Sequence, residues 1–496
     1  MLMRQSIKCL SIKSLSIKCM PLFIAASIAG CTVGPDYQRP TLDIPALFRG
    51  EEYKAANQKI ESTVTLGDVA WWQVFSDPAL IQLINDGLAN NHDLRIAAAR
   101  VDQYRAQAGV VRGALFPQIN AGLGRSAQNG SLLSDPSSSA NDDTFRNWDG
   151  SIQVAWELDL FGRLRRKDEA ALALWLATEE GRRGVTVTLV SDIASAYFTL
   201  RQYDLQLEIA KRTLVANTEQ VELYRSRLDG GSSNRLEVDQ AEANRALTAS
   251  TIPDFERRIA LQENLISLLT GRNPGPVKRG QTLNAQSIPP TLPVGIPLQL
   301  LDRRPDVLQA EQLMVAANAD VGAAKALYFP SIGITGMAGR LSNDFSDLGR
   351  SDAAIWSLSG GLTQPLFRGG AIRFNYEAAQ AQFQQALAQY QKTVQNSFRE
   401  TADAIVTIEK LRAARVEIEK MVVALQDASD LARARYDGGL SSYLDILIVD
   451  QRLFDAELKL AELRGAEFTA MADLYRTLGG GWQVSQSPSI KHESAK

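Results

Sequence analysis

The chain has 496 residues, of which 45% are hydrophobic and 22% charged, with a formal charge of −3. That composition excludes a disordered chain, and the near-neutral charge gives no footing for a nucleic-acid partner. Beyond the N-terminus no stretch offers about 18 uninterrupted apolar residues, so any membrane-spanning part would have to be a closed β-barrel, in which no backbone group is left unpaired in lipid.

The first thirty residues read as an address. Arg4, Lys8, Lys13 and Lys18 form a basic region, and Met20 to Ala29 a short apolar one. The segment ends Ile28-Ala29-Gly30-Cys31, which resembles a bacterial lipobox. In a lipobox, cleavage leaves the cysteine as the mature N-terminus, carrying diacylglycerol and an N-acyl chain such as palmitate. Cleavage at Cys31 would also remove Cys9 and Cys19, leaving no pair for an intramolecular disulfide. Thr32 follows in place of the aspartate that retains lipoproteins in the inner membrane, which implies sorting to the outer membrane.

The rest of the chain is a tandem repeat. Leu80, Leu83, Ile84 and Leu88 open a helical run that continues over Leu94 to Val111 and stops at Phe116-Pro117. Asp93 to Phe116 matches Asp306 to Phe329 at an offset of 213. Leu160-Phe161-Gly162-Arg163 matches Leu366-Phe367-Arg368-Gly369 at 206, and Leu228-Asp229-Gly230-Gly231 matches Tyr436-Asp437-Gly438-Gly439 at 208. Proline lacks a helix donor and pushes its predecessor toward extended geometry, so Phe116-Pro117 and Phe329-Pro330 are expected to switch helix to strand. Alternation follows: Trp148, Ile152, Val154, Trp156 and Leu158 share one parity against Ser151, Gln153 and Glu157, as Trp356, Leu358 and Leu362 do against Ser357, Ser359 and Thr363. The spacing predicts strands over about 118–126, 147–158, 331–341 and 355–366, with polar loops over 126–147 and 342–354.

From Arg163 to Leu228 there is no proline, and a straight helix of that length would measure about 99 Å. The glycine pairs Gly230-Gly231 and Gly438-Gly439 are expected to close αα-hairpins. The resulting organisation is a signal over 1–30, a first repeat over 31–271, a Pro/Gly-rich linker over 272–299, a second repeat over 300–480 and a polar tail over 481–496. Four strands per chain cannot close a barrel, which needs at least eight, so several chains must share one.

These residues resemble the TolC/OprM family of outer-membrane factors, in its NodT-like lipoprotein branch that serves RND efflux. The resemblance rests on Cys31-Thr32-Val33-Gly34-Pro35-Asp36-Tyr37, on Trp71-Trp72 with Phe75 and Asp77-Pro78-Ala79-Leu80, and on Leu300-Leu301-Asp302-Arg303-Arg304-Pro305-Asp306 running on to Phe329-Pro330. It implies a mainly α fold with a membrane β part. In that fold a homotrimer forms one 12-stranded outer-membrane barrel, continuous with a long periplasmic α-helical barrel. It also implies docking of the hairpin tips, at Gly230, Gly231, Gly438 and Gly439, onto a periplasmic adaptor (a membrane fusion protein) and an inner-membrane pump of RND type. The implied function is passive conduction of drugs or other small molecules to the exterior. By the same resemblance Asp445 matches an inward-facing acidic position of the periplasmic aperture and Tyr436 a tyrosine of its closure. Glu237 and Asp239 are their first-half counterparts. A second acidic position is Ile448 here, and a closing arginine of some members is Ser441.

Catalytic chemistry has no foothold. The two histidines, His92 and His492, stand apart, and His92 matches Pro305 at a helix start. No zinc spacing, P-loop or nucleophile motif occurs, so no cofactor beyond the acyl chains on Cys31 is expected and the chain is not expected to be an enzyme. Two other readings remain: a type I protein-secretion duct, and a non-conducting structural surface lipoprotein.

Overall fold

The computed structural model describes residues 32–45, 77–129, 144–286 and 297–480. The signal segment, Cys31, Trp71, Trp72, Phe75 and the tail from 481 lie outside the described residues. In chain order the elements are α1 (Pro78–Asn90), α2 (His92–Gly113), β1 (Gln118–Asn129), β2 (Thr144–Leu158), α3 (Arg163–Asp229), α4 (Arg235–Leu269), α5 (Leu300–Arg303), α6 (Pro305–Ala326), β3 (Ser331–Ser342), β4 (Ala354–Thr363), α7 (Ala371–Asp437) and α8 (Tyr443–Thr477). The duplication is visible in their lengths. Helices α2 and α6 have 22 residues each, α3 and α7 have 67, and α4 and α8 have 35. Contacts divide the chain into two compact units.

The first unit takes in residues 32–40, Gln103–Leu176 and Gln312–Ala388. Its centre is a four-stranded antiparallel sheet in the order β1-β2-β3-β4. Each Phe-Pro switch works the same way. A tight turn follows the helix, with Phe116 N–H donating to the Gly113 carbonyl and Phe329 N–H to that of Ala326. Pro117 and Pro330 then have no donor to continue it. The strands reach further into the polar segments than the alternation indicates: β1 runs to Asn129 and β2 starts at Thr144. Strand β4 instead stops at Thr363, short of the 366 expected, because Pro365 cannot donate to a ladder. The N-terminal segment packs at the helix end of the sheet. Val33 N–H donates to the Phe161 carbonyl at 3.1 Å, Asp36 pairs with the buried Arg166 at 2.5 Å, and Asn318 holds the Pro35 carbonyl at 3.0 Å. Gly162, with φ +78°, closes directly against Thr32.

The second unit takes in residues 41–45 and 77–102, Ala177–Glu311 and Gln389 onward. Its core gathers Leu80 and Ile84 of α1, Ile193, Tyr197 and Phe198 of α3, Ile266 of α4, and Met471 and Tyr475 of α8. The rings of Phe198 and Phe468 stack at 4.7 Å. Asn91 separates α1 from α2. Its side chain accepts from Leu94 N–H at 2.9 Å and donates to the Leu269 carbonyl at 3.0 Å. His92 is then an exposed first-turn residue.

The composition of 272–299 reads as a linker, but the described part of it is a packed strap. Val277 and Leu283 are buried in the core, and Arg279 bridges Asp204 and Glu263. Buried Asp77 ties the strap down, accepting from Tyr197 Oη at 2.7 Å, Gln281 N–H at 3.0 Å and Gln286 Nε2 at 3.0 Å. Gly280 must be glycine, because a Cβ there would strike the Asp77 carboxylate. Arg304 is likewise buried, and burial alone would depress its charge. It is held by a two-pronged pair with Asp306 and by Glu400 at 2.8 Å, and the net effect raises its pKa. Arg304 is therefore a structural ion-pair residue.

Candidate functional site

Two regions carry surface features that packing alone does not explain. The first is the sheet. Residues opposite one another in a ladder point to the same face. Ile119 stands opposite Val154, Val154 opposite Gly336, and Gly336 opposite Leu358. One face therefore carries Ile119, Leu123, Ile152, Trp156, Ile334, Trp356, Leu358 and Leu362. Six of these are openly exposed, from 55% for Ile152 to 80% for Trp356. The other face carries Asn120, Ser151, Gln153, Glu157, Thr335, Ser357, Ser359 and Thr363. It borders an open cleft of about 790 Å³ whose lining includes Gln118, Glu157, Ser331, Thr335, Ser359 and Thr363. Apolar side chains this exposed, on a sheet whose edge strands β1 and β4 have no neighbour among the described residues, mark a surface built to be covered. Among the described residues no helix is long and apolar enough to cross a membrane.

The second region is where the hairpins α3–α4 and α7–α8 turn. Both turns have the same construction. Gly231 and Gly439 adopt φ +72° and +74°, and the next residues, Ser232 and Leu440, donate their N–H groups back to the Arg227 and Arg435 carbonyls. That left-handed step after a helix end is what glycine supplies most cheaply. Open space surrounds both glycines, so backbone conformation and not crowding selects them. Gly230 and Gly438 precede them and donate to Ser226 and Ala434.

The two hairpins are then joined side by side. Tyr436 Oη donates to Glu237 Oε2 at 3.2 Å, and Arg227 pairs with Asp437 at 3.0 Å. The Arg227 guanidinium also lies over Tyr436 and Tyr224, 5.5 and 5.8 Å from the ring centroids. Tyr224, Tyr436 and Tyr443 form one aromatic cluster, with Tyr224 and Tyr443 only 4.3 Å apart. Burial pushes the Tyr443 hydroxyl up to about 12, with Asp450, Tyr436 and Glu237 acting in the same sense. Burial and the Glu237 carboxylate also raise Tyr436, against the pull of Arg227. All three phenols are raised and therefore protonated near pH 7, with Tyr436 the one that donates to Glu237.

Of the four aperture candidates, the structure brings together Tyr436 and Glu237. Asp239 is exposed and paired with Arg235 at 2.9 Å. Asp445 is turned back on its own helix start, where its carboxylate accepts from Ser442 N–H at 3.0 Å and Ser442 Oγ at 3.1 Å. Sequence reasoning missed Arg227, Tyr224, Tyr443 and Asp437. The available signal lay in the repeat, since Tyr436 and Tyr443 stand where the first half has Leu228 and Arg235.

The sequence profile of the outer membrane efflux protein family matches residues 83–272 and 296–480. The chain belongs to the outer membrane efflux protein family. The matched segments are interrupted within the Pro/Gly-rich part of the sequence, between 272 and 296. Relatives of this outer membrane efflux protein match it over more than nine-tenths of its length. The cation efflux system protein CusC of Escherichia coli O6:H1 is 34% identical, over 94% of this chain and 99% of its own length. The solvent efflux pump outer membrane protein SrpC of Pseudomonas putida is 35% identical, over 95% of this chain and all of its own. The open state of the Neisseria gonorrhoeae MtrE outer membrane channel superposes with a TM-score of 0.82 at 30% identity, covering 91% of this chain and 99% of MtrE. This outer membrane efflux protein is thus the outer-membrane component of an efflux system.

Proposed function

We propose that the chain acts as a homotrimer whose twelve strands close one outer-membrane barrel, leading from a periplasmic helical tunnel. The observation that carries this reading is the sheet: one exposed apolar face, one polar face and, among the described residues, two open edges. In lipid an open edge leaves a row of backbone groups unpaired, so β1 of one copy and β4 of another must pair until the barrel closes. Four strands fall short of the minimum of about eight, and three copies exceed it. The apolar face then meets lipid and the polar face lines the conduit.

The duct is passive and has no catalytic step of its own. Energy comes from an inner-membrane pump of RND type, reached through a periplasmic adaptor docked on the hairpin turns at Gly230, Gly231, Gly438 and Gly439. Drugs or other small molecules pass through it. The Tyr436–Glu237 and Arg227–Asp437 links hold neighbouring hairpins together at the periplasmic aperture, and loosening them widens it. Cys31 carries diacylglycerol and an N-acyl chain in the outer-membrane lipid. This reading is supported by Thr32, the next residue, which lies against Gly162 at the helix end of the sheet, where the inner leaflet would be.

Reconstitution into planar bilayers tests the duct. Discrete conductance steps from a species of trimer mass are expected, whereas a monomer that leaves the bilayer silent would overturn the proposal. In-cell crosslinking from positions beside Gly231 and Gly439 should capture an adaptor, and capture of none would remove the docking assignment.

A further inference from the structure

The strands segregate charge as well as polarity. On the described parts of the four strands, arginines occur at Arg125 on β1, Arg146 on β2 and Arg340 on β3. All three lie on the apolar face: Arg125 stands opposite Trp148, Arg340 opposite Gly150, and Arg146 two residues beyond Trp148 on the same parity. The acidic strand residues, Asp149 and Glu157, lie on the polar face. None of the three arginines has a carboxylate within ion-pair distance among the described residues, and all are exposed. Arg125 sits over the Trp148 ring at 5.3 Å, and Phe345 meets that ring edge-on at 5.1 Å. Arg340 donates to the Leu348 carbonyl at 3.1 Å and to that of Arg350, leaving its charge uncompensated.

Their height on the sheet is the second observation. From Leu158 to Gly150 the apolar face runs about 27 Å along β2 at about 3.4 Å per residue. A strand tilt of roughly 40° reduces this to about 21 Å, close to the ~25 Å apolar band of outer-membrane barrels. The three arginines and Trp148 begin where that band ends, at the strand ends away from the helices. An aromatic ring beneath outward cations, at the edge of an apolar band, fits an anionic headgroup layer.

We propose that Arg125, Arg146 and Arg340 form an outward-facing binding surface for the phosphate groups of outer-leaflet glycolipid. The proposal rests on the trimeric-barrel reading, which places this face in lipid and this end outside. Arg125, which rests on the Trp148 ring, and Arg146 make no hydrogen bond or ion pair among the described residues, while Arg340 also fixes the β3–β4 connection. The polar face keeps its carboxylates for the conduit, so the two surfaces attract opposite charges.

The test uses full-length protein purified in non-ionic detergent, with purified lipopolysaccharide, its enzymatically dephosphorylated form and phosphatidylcholine as probes. Wild type is expected to bind the phosphorylated glycolipid at least about tenfold more tightly than the dephosphorylated form. Arg125→Gln/Arg146→Gln should erase that difference. Arg125→Lys/Arg146→Lys should keep most of it, and Asp149→Asn on the opposite face should keep all of it. Equal wild-type binding of both glycolipids would overturn the proposal, as would unchanged discrimination by the double glutamine variant or loss of it in Asp149→Asn. Conductance of the wild type in neutral vesicles is read separately. Its absence sinks the barrel reading and the lipid site with it. Its presence without phosphate discrimination sinks the lipid site alone.

Discussion

Releasing the hairpin link should open the aperture by a calculable amount. Tyr436→Phe removes one hydrogen bond to the Glu237 carboxylate, worth about 1–1.5 kcal/mol for a half-buried pair with one charged partner. Arg227→Ala removes an ion pair whose Asp437 side chain is 63% exposed, worth about 0.5 kcal/mol. It also removes the cation–π contacts on Tyr436 and Tyr224, worth about 0.5–1 kcal/mol. Combined, the two substitutions shift the closed-to-open balance by about 2–3 kcal/mol per protomer, roughly 30- to 140-fold. The single effects should not add cleanly, because the Arg227 guanidinium also lies over the Tyr436 ring. Single-channel recording reads the outcome: a higher open probability or larger step in each single variant, and more in the double. Raising the salt concentration should mimic Arg227→Ala in part, since it screens an exposed ion pair, and should not mimic Tyr436→Phe. A double variant with wild-type conductance at every salt concentration would refute the assignment of these links to the aperture.

Four further outcomes follow from other parts of the structure. Leu358→Arg, on the apolar face, should cost about 2–4 kcal/mol and lower trimer yield, whereas Ser359→Arg, one residue on, should assemble and shift ion selectivity toward anions; heat-resistant trimer on gels and reversal potentials read the pair. Gly280→Ala should cost several kcal/mol by forcing apart the Asp77 network, against about 1 kcal/mol for Gly231→Ala, where only the left-handed backbone is at stake, as thermal melting would show. The tyrosine cluster gives a pH window. Its folded-state hydroxyl pKa values are raised, so its stabilisation is complete below about 10, the ordinary tyrosine value. It is then lost as pH rises toward the value of about 12 for Tyr443. Alkaline titration should therefore show late tyrosinate absorbance together with a wider channel, and tyrosines titrating at their ordinary value would contradict it. Cys31→Ser behind a cleavable signal should impair sorting or assembly more than conduction, and an assembled variant trimer that fails to conduct would contradict that.

How far sequence could go depended on the range of the interaction. Parity along β2 and β4 and the two Phe-Pro switches are local, and they located every strand to within a few residues. The duplicated landmarks located the helices for the same reason. The strap was illegible because composition reports backbone freedom and says nothing of tertiary partners. Pro and Gly over 272–299 looked like a spacer, yet in its described part Gly280 is there to let Asp77 approach.

At the tip the decisive difference is also local, and it lies in the caps. Glu237 and Asp445 occupy the same place in the repeat, three residues after Asn234 and Ser442. In the first half the Asn234 side chain accepts the Glu237 N–H at 3.0 Å. The Glu237 carboxylate is left to take Tyr436 and Ser233. In the second half Asp445, one methylene shorter, turns back to satisfy Ser442. A helix start needs its free N–H groups bonded, and which group does so decides which carboxylate remains for other work. The resemblance pointed to Asp445 and Glu237 alike; the capping chemistry commits the Asp445 carboxylate to Ser442 and leaves that of Glu237 for Tyr436. Since Tyr436 and Tyr443 stand where the first half has Leu228 and Arg235, the Tyr436–Glu237 link has no repeat-related copy among the described residues.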